Sequence, residues 1–509
     1  MIEVSLLTVA LAGLALTVLV ERFLQPRPAL HRPLSCWALH AGVWCVGLGL
    51  LYALTGRALF SGVNLLLVWL LIVLVSNSKY HSLREPFVCA DFEYFSDAVK
   101  FPRLYLPFFG YAKAAGLALG FVIYLWAGLS FEAPGSRWAA LLPGLLGLGL
   151  LRLGHRHQVP SFDAEADVRR WGLAASLWRY FWAARQPVDR AALGSPFAPP
   201  APAAAPAAAL PDIVSIQSES FFDVRSLWPG VRGEVLGEYD RLVGQSLAHG
   251  KLQVAAWGAN TVRTEFAYLT GIEAEHLGVH RFNPYRVLAR QGLPSIAARL
   301  KAQGYRTVCI HPYAGSFYGR DKVLPALGFD EFIDVSSFFE AQKAGPFIGD
   351  CAVAEKIRGL LNAQGRQQPL FIHAITMENH GPLHLESVTD SELPAWFDRP
   401  LQPGMQDLAA YLRHIANADR MLGMLRETLQ VHGREALLCF FGDHVPILPQ
   451  VYQAVGAPAG DTDYLIWSNR RQPGSQAQPL RVEALSSALL DQASGTPRAA
   501  SQSNAAGVV

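Results

Sequence analysis

Charge is the first thing this sequence has little of. Aspartate, glutamate, lysine and arginine make up 17% of its 509 residues, whereas a soluble globular domain carries about 25%. Part of the chain is therefore expected in lipid. What charge there is nearly cancels. A formal net charge of +2 gives no polycationic face for a phosphate backbone, and nucleic acid is excluded as a partner. Cysteine is sparse and unpatterned: the six present show no C-x-x-C spacing, so neither a zinc ribbon nor a disulfide framework can be read from them. Only Cys309, Cys351 and Cys439 fall in the later half, which allows one bridge there at most.

What the chain does have is apolar density, concentrated before residue 155. Five stretches read as membrane spans, at roughly 4–20, 35–55, 58–78, 108–130 and 138–154, against the about 20 residues a crossing helix needs. Further spans come after the first and no cleavage pattern does, so it is an uncleaved anchor. The loop 79–107 interleaves aromatics with charges. It reads as an interfacial loop, or as a segment that docks on the catalytic domain or on lipid head groups. Arg22, Arg27 and Arg32 come after the first span, and Lys79, Arg84, Lys100 and Arg103 after the third. The positive-inside bias then puts the N-terminus outside and, with five spans, the large domain in the cytoplasm. Residues 155–185 alternate aromatic and apolar residues with arginines at helical spacing, as a helix on a membrane surface or a linker helix does. The Pro/Ala run at 195–211 cannot pack and reads as a stiff spacer. The division expected is a transmembrane domain over 1–154, an amphipathic helix and linker over 155–210, a catalytic domain over 211–480 and a C-terminal tail over 481–509.

From 211 onward short apolar runs alternate with amphipathic helical patterns. DIVSIQSES, YRTVCIHP, PLFIHAITME and ALLCFFGDH have the length and the β-branched and aromatic content of buried strands. Helical patterns occupy 293–304 and 407–433. The alternation predicts an α/β domain with a mostly parallel central sheet covered by helices, behind an α-helical membrane domain.

Four polar clusters sit just after these strands, where open α/β sheets build their sites. Glu219 stands after the first and is a candidate ligand for a hard cation. Thr261 opens the segment Asn260–Glu265. It suits a helix N-cap, and as a nucleophile its weak hydroxyl needs activation. No adjacent His or Lys offers a base, so a divalent metal is the coherent activator. Asp443 and His444 stand after Gly442 at a strand end and suit Mn or Zn. The last cluster has two parts, His311 with Tyr318 and Arg320, and His380 within ENHGP. Arg320 can fork onto phosphate oxygens, and either histidine can bond a phosphoryl group or protonate a leaving oxygen.

In this order the motifs DIVSIQSESFFD, EFAYLTGI, GYRTVCIHP with YGRDKVLPALGFDEFID, ENHGP and FFGDH resemble the lipoteichoic acid synthase and phosphoglycerol transferase group of the sulfatase-like, alkaline-phosphatase superfamily. The resemblance runs over roughly 211–470 and more weakly over the membrane half. It implies one divalent metal, commonly manganese with zinc or magnesium as alternatives, at Glu219, Thr261, Asp443 and His444. It implies Thr261 as the nucleophile taking glycerol phosphate from phosphatidylglycerol, and a glycan or glycerol-phosphate polymer as acceptor. His311, Arg320 and His380 match head-group positions, while Tyr318 stands where relatives have Trp. It also implies a multi-pass inner-membrane protein with its catalytic domain outside, against the arginine count. Large domains translocate largely regardless of charge. A phosphoethanolamine transferase shares this chemistry but usually carries more disulfides. A true sulfatase lacks its C/S-x-P-x-R nucleophile motif here, and a non-catalytic membrane scaffold would not need the intact set.

Overall fold

A computed structural model describes residues 5–92, 111–155, 159–198, 210–471, 473–474 and 477–494. Two compact units result, Met1–Val188 and Asp189–Val509.

The first unit is helical: α1 (Leu6–Glu21), α2 (Leu34–Thr55), α3 (Ala58–Leu83), α4 (Tyr111–Phe131), α5 (Leu141–Gly154), α6 (Ala164–Trp171) and α7 (Leu173–Ala183). The first five stand where the apolar stretches predict them. Among the described residues, α2 and α3, with 22 and 26 residues, are long and apolar enough to cross a membrane. The 16 residues of α1 and 14 of α5 fall short of a full span. Small residues let α2 and α5 pack backbone to backbone. A Cβ on Gly147 would lie 2.8 Å from the Val46 amide nitrogen, and one on Gly154 2.6 Å from the Ser35 carbonyl oxygen.

The boundary drawn at 154 needs correcting. Helices α6 and α7 belong to this unit, because Trp171 and Ala175 bury against Cys36, Leu39 and Leu151. The Glu21 carboxylate accepts the Leu173 amide at 2.8 Å and Arg32 Nη1 at 2.7 Å. The surface helix read over 155–185 is two helices, broken at Gly172 with φ 82°. In the loop 79–107, Lys79 Nζ donates to Glu85 and Asp91, both at 2.7 Å. Residues 93–107 of that loop and 199–209 of the Pro/Ala run lie outside the described residues.

The second unit runs β1 (Asp212–Ser218), α8 (Gly237–Gly244), β2 (Ala248–Gln253), α9 (Thr261–Thr270), α10 (Ile296–Ala302), β3 (Arg306–Ile310), α11 (Arg320–Ala326), β4 (Glu331–Ile333), α12 (Asp350–Leu361), β5 (Leu370–Ile375), α13 (Gln406–Gln430), β6 (Ala436–Gly442), α14 (Pro449–Val455), β7 (Thr462–Ser468), β8 (Leu480–Arg481) and α15 (Val482–Ser494), with short turns between. The strands form one eight-stranded sheet in the order β8-β2-β7-β6-β1-β5-β3-β4. The block β6-β1-β5-β3-β4 is parallel, and β7 pairs antiparallel with both of its neighbours. The expected mostly parallel sheet is what forms.

Strand β1 is buried on both faces, as a central parallel strand must be. Val214 and Ile216 join one core with Ile357 of α12 and Leu412 and Ile415 of α13. On the opposite face Ser215 donates to the Tyr268 hydroxyl of α9 at 2.7 Å, and Tyr268 lies 4.6 Å from the Phe441 ring. The stretch from 481 is not a tail as far as 494: β8 extends the sheet, and Leu485 and Leu489 of α15 are fully buried.

Candidate metal centre and nucleophile

Strands β1 and β6 are neighbours in register, with Ser218 opposite Gly442. The residues just beyond the two strand ends must therefore meet: Glu219 after β1, and Asp443 with His444 after β6. Gly442 is required by that approach: a Cβ there would lie 1.8 Å from the Phe221 carbonyl oxygen. We expect Gly442→Ala to cost about 3 kcal/mol of stability through forced backbone movement. Thermal unfolding of the purified protein measures it.

One ligand atom each from Glu219, Asp443 and His444 lies within 4.8 Å of the others. The His444 ring is oriented by its own chain. Its Nδ1 is 3.1 Å from the Val445 carbonyl, which can only accept, so Nδ1 carries the hydrogen. That leaves the Nε2 lone pair toward Glu219 Oε1 and Asp443 Oδ2, each at 3.5 Å. Ser220 ties the group together. Its amide donates to Asp443 Oδ1 at 2.8 Å and its hydroxyl to Glu219 Oε1 at 3.0 Å, from a backbone held at φ 54°.

Electrostatics favour a cation here. Burial, and then the Glu219 carboxylate, push the Asp443 carboxyl well above its ordinary range. Burial would lower the His444 imidazole, but Asp443 and Glu219 outweigh it and raise it. Asp443 Oδ2 is buried without a hydrogen-bond partner. Two carboxylates, one of them with an orphaned oxygen, and an imidazole lone pair converging in a buried site suit a divalent ion, which cancels the repulsion and takes the open lone pairs.

Thr261 completes the group, its hydroxyl donating to Glu219 Oε2 at 3.5 Å. The N-cap expected at Thr261 falls one residue earlier. Asn260 takes that position at φ 67°, and Thr261 is the first helical residue. The left-handed cap turns the hydroxyl toward Glu219 instead of onto the helix's own amides. The next turn is fixed by Thr264, whose hydroxyl donates to the Asp443 carbonyl at 2.8 Å.

The other sequence candidates form a second group. His311 Nδ1 meets the Ile375 carbonyl at 3.1 Å, which makes it the donor, and Nε2 accepts from Arg320 Nη1 at 3.1 Å. Burial, and then Arg320, hold His311 well below its ordinary range. Arg320 differs from the open phosphate fork expected of it. Its Nη2 and Nε grip Glu265 at 2.7 and 3.1 Å, and its Cζ lies 5.3 Å from the Tyr318 ring. Glu265 stood in the sequence only as the end of a run, without a role. His380 is half-buried, its Nδ1 bonded to the Gly381 carbonyl at 2.7 Å. Its Nε2 has no hydrogen-bond partner among the described residues, so it is the histidine with a nitrogen left to exchange a proton. All six cysteines are free thiols.

Comparisons with known proteins agree with this architecture. The family model described as Sulfatase matches residues 211–496. The capsular polysaccharide biosynthesis protein RkpI of Rhizobium meliloti is 26% identical over 471 residues, 85% of this chain and 81% of that one. A protein of the same organism named for cyclic β-1,2-glucan modification is 29% identical over 310 residues, 58% of this chain and 47% of its own length. The match thus spans about half of that relative. Among solved structures, Streptococcus pyogenes phosphoglycerol transferase GacH in complex with sn-glycerol-1-phosphate is 22% identical. It covers 56% of this chain and 74% of that one at a TM-score of 0.47. With its mostly parallel sheet, and with acidic and imidazole side chains at the carboxyl ends of β1 and β6, the matched domain leaves one assignment: this chain belongs to the Sulfatase family.

Proposed function

We propose that this chain is a membrane-bound phosphoglycerol transferase. It would move glycerol phosphate from phosphatidylglycerol through a phosphothreonine at Thr261 to a glycan or glycerol-phosphate polymer, at the outer face of the inner membrane. One observation carries the reading: the Thr261 hydroxyl lies on Glu219 at 3.5 Å, inside the group that Asp443 and His444 complete. The two relatives named for glycan modification and capsular polysaccharide support a glycan acceptor. The free thiols weigh against the disulfide-bearing phosphoethanolamine transferases.

A divalent ion, manganese by the resemblance, would be held by Glu219, Asp443, His444 and Thr261; it supplies positive charge that acidifies the hydroxyl and offsets phosphoryl charge. Thr261 Oγ1 attacks phosphorus. A new O–P bond forms, the bond from phosphorus to the diacylglycerol oxygen breaks, and diacylglycerol leaves with a proton. An acceptor hydroxyl then attacks the same phosphorus, gives up its proton and restores the Thr261 hydroxyl. His380 Nε2 is the group left to carry those protons. His311, held neutral and engaged at both nitrogens, orients Arg320. The lipid-bound half of the chain keeps the site near its donor, which replaces an entropic cost with proximity.

The test incubates full-length protein in detergent with manganese and vesicles holding labelled phosphatidylglycerol or phosphatidylethanolamine. Diacylglycerol should appear with the first lipid, label should reach Thr261, and chelation should stop both. Hydrolysis of a sulfate ester with neither lipid cleaved would sink the assignment.

A further inference from the structure

The four head-group candidates all come from one side of the metal centre. His311, Tyr318 and Arg320 follow β3 and His380 follows β5, and both strands lie on the opposite side of β1 from β6. In the proposed reaction the glycerol stays on phosphorus through both steps, so the acceptor needs a surface of its own. The other side of the sheet runs β6-β7-β2. Strand β7 is antiparallel to both neighbours, so β2 runs the same way as β6 and ends at the same edge. Two aromatic residues stand at that edge. Trp257 lies in the loop from β2 to α9, four residues before Thr261, and Tyr452 lies in α14, after Asp443 and His444.

Both rings are held in place. The Tyr452 hydroxyl donates to the Pro446 carbonyl, two residues past His444, at 2.5 Å. The Trp257 and Tyr452 rings meet edge to face, with centroids 6.3 Å apart at 63°. The indole lies against Gly460, where φ is 121° and a Cβ would fall 3.0 Å from Trp257 Cε3. A side chain at 460 would press on the ring, so the glycine before β7 keeps its place open. Yet neither ring is sealed in the core: both are half-buried, and part of each meets solvent. A large aromatic surface that is already fixed loses little side-chain freedom when a flat partner packs on it.

Charge decides which partner that is. The segments 253–262 and 445–462 contain no lysine or arginine. Arg263, next along the chain, is turned onto the Phe282 carbonyl at 3.1 Å. A glycerol-phosphate polymer brings a negative charge with every unit and finds no cation on either segment, while Asp461 would repel it. A neutral sugar needs no cation, because the polarised C–H face of its ring packs on the negative face of an aromatic ring. We infer that Trp257, braced by Tyr452 and Gly460, is the acceptor platform, and that it takes a neutral sugar residue of a glycan. The inference rests on the reading of Thr261 as a nucleophile that is discharged to an acceptor.

The test loads full-length protein in detergent from labelled phosphatidylglycerol with manganese, then offers a panel of neutral hexose oligosaccharides or a glycerol-phosphate oligomer. Label on Thr261 reports the first step and label on the acceptor the second. The parent should label a sugar and not the oligomer. Trp257→Leu keeps apolar bulk against Gly460 but has no flat ring. It should raise the KM for the sugar about tenfold, with kcat little changed and the label on Thr261 still formed. Trp257→Phe, which keeps a ring, should recover most of that loss. A parent-like KM in Trp257→Leu, an equal loss in Trp257→Phe, or a loss matched by missing Thr261 label or by early thermal unfolding overturns the platform. A parent that labels Thr261 but transfers only to the oligomer, or to nothing offered, overturns the sugar assignment and leaves the phosphothreonine standing. A parent that never labels Thr261 overturns the transferase reading and this inference together.

Discussion

Thr261→Ala should lower head-group transfer about ten-thousandfold or more, measured as diacylglycerol released from labelled phosphatidylglycerol. The side chain removed is the atom that forms the covalent bond, and losses of that size or larger accompany removal of a nucleophile. The variant should still fold, since alanine is well tolerated at a helix start. It should also still take up a cation, because Glu219, Asp443 and His444 remain within 4.8 Å of one another. Thr261→Ser keeps the oxygen and should retain measurable turnover and a labelled residue 261. The left-handed backbone at Asn260 and Ser220 gives a reason to expect so sharp a dependence. Conformations that cost energy outside glycine persist where the surrounding structure enforces them, and here they aim the Thr261 hydroxyl at Glu219 and the Ser220 amide at Asp443. A Thr261→Ala protein that releases diacylglycerol as fast as its parent would remove Thr261 as the nucleophile, and a parent that releases none would favour the scaffold reading.

The sequence announces this centre because of how parallel sheets are built. Strands buried on both faces read as unbroken β-branched and aromatic runs, and the candidate ligands stand directly after two of them. Glu219 comes after DIVSIQS, and Asp443 and His444 after ALLCFFG. Adjacency of β1 and β6 does the rest. Strand β2 escapes that logic: its AHGKLQ is mostly half-exposed and polar, so no apolar run marks it. Helices α6 and α7 read as a surface or linker helix because arginines interrupt their aromatic and apolar residues, yet Trp171 and Ala175 supply the buried stripe that docks them. The groups behind the candidate ligands are the least legible: Thr376, which accepts the Glu219 amide at 3.0 Å, lies 157 residues away along the chain and reaches it only because β1 and β5 are neighbours. Arg320 shows the same limit from the other side. Its chemistry suits phosphate, but only the fold reveals that a carboxylate 55 residues away already occupies its fork.

That occupied fork makes the second large prediction. Glu265→Ala should destabilise the protein by about 3–5 kcal/mol, because it strands a buried cation. The Arg320 and Glu265 side chains are 1% and 0% exposed, so water cannot take the place of the lost carboxylate. Tyr285, whose hydroxyl donates to Glu265 at 2.5 Å, loses its acceptor in the same step. For a domain of this size each kcal/mol shifts the melting temperature by roughly 2–4 °C, so thermal unfolding resolves the effect. Replacing both partners with apolar residues, as in Glu265→Leu with Arg320→Met, removes the stranded charge and should recover most of the stability. The double variant should not recover transfer if Arg320 also faces the head group, since no guanidinium is then left for phosphate oxygens. Stability regained without activity would show that the pair has a functional role beyond packing. Stability and activity regained together would reduce Arg320 to a structural ion pair and remove it from the substrate site.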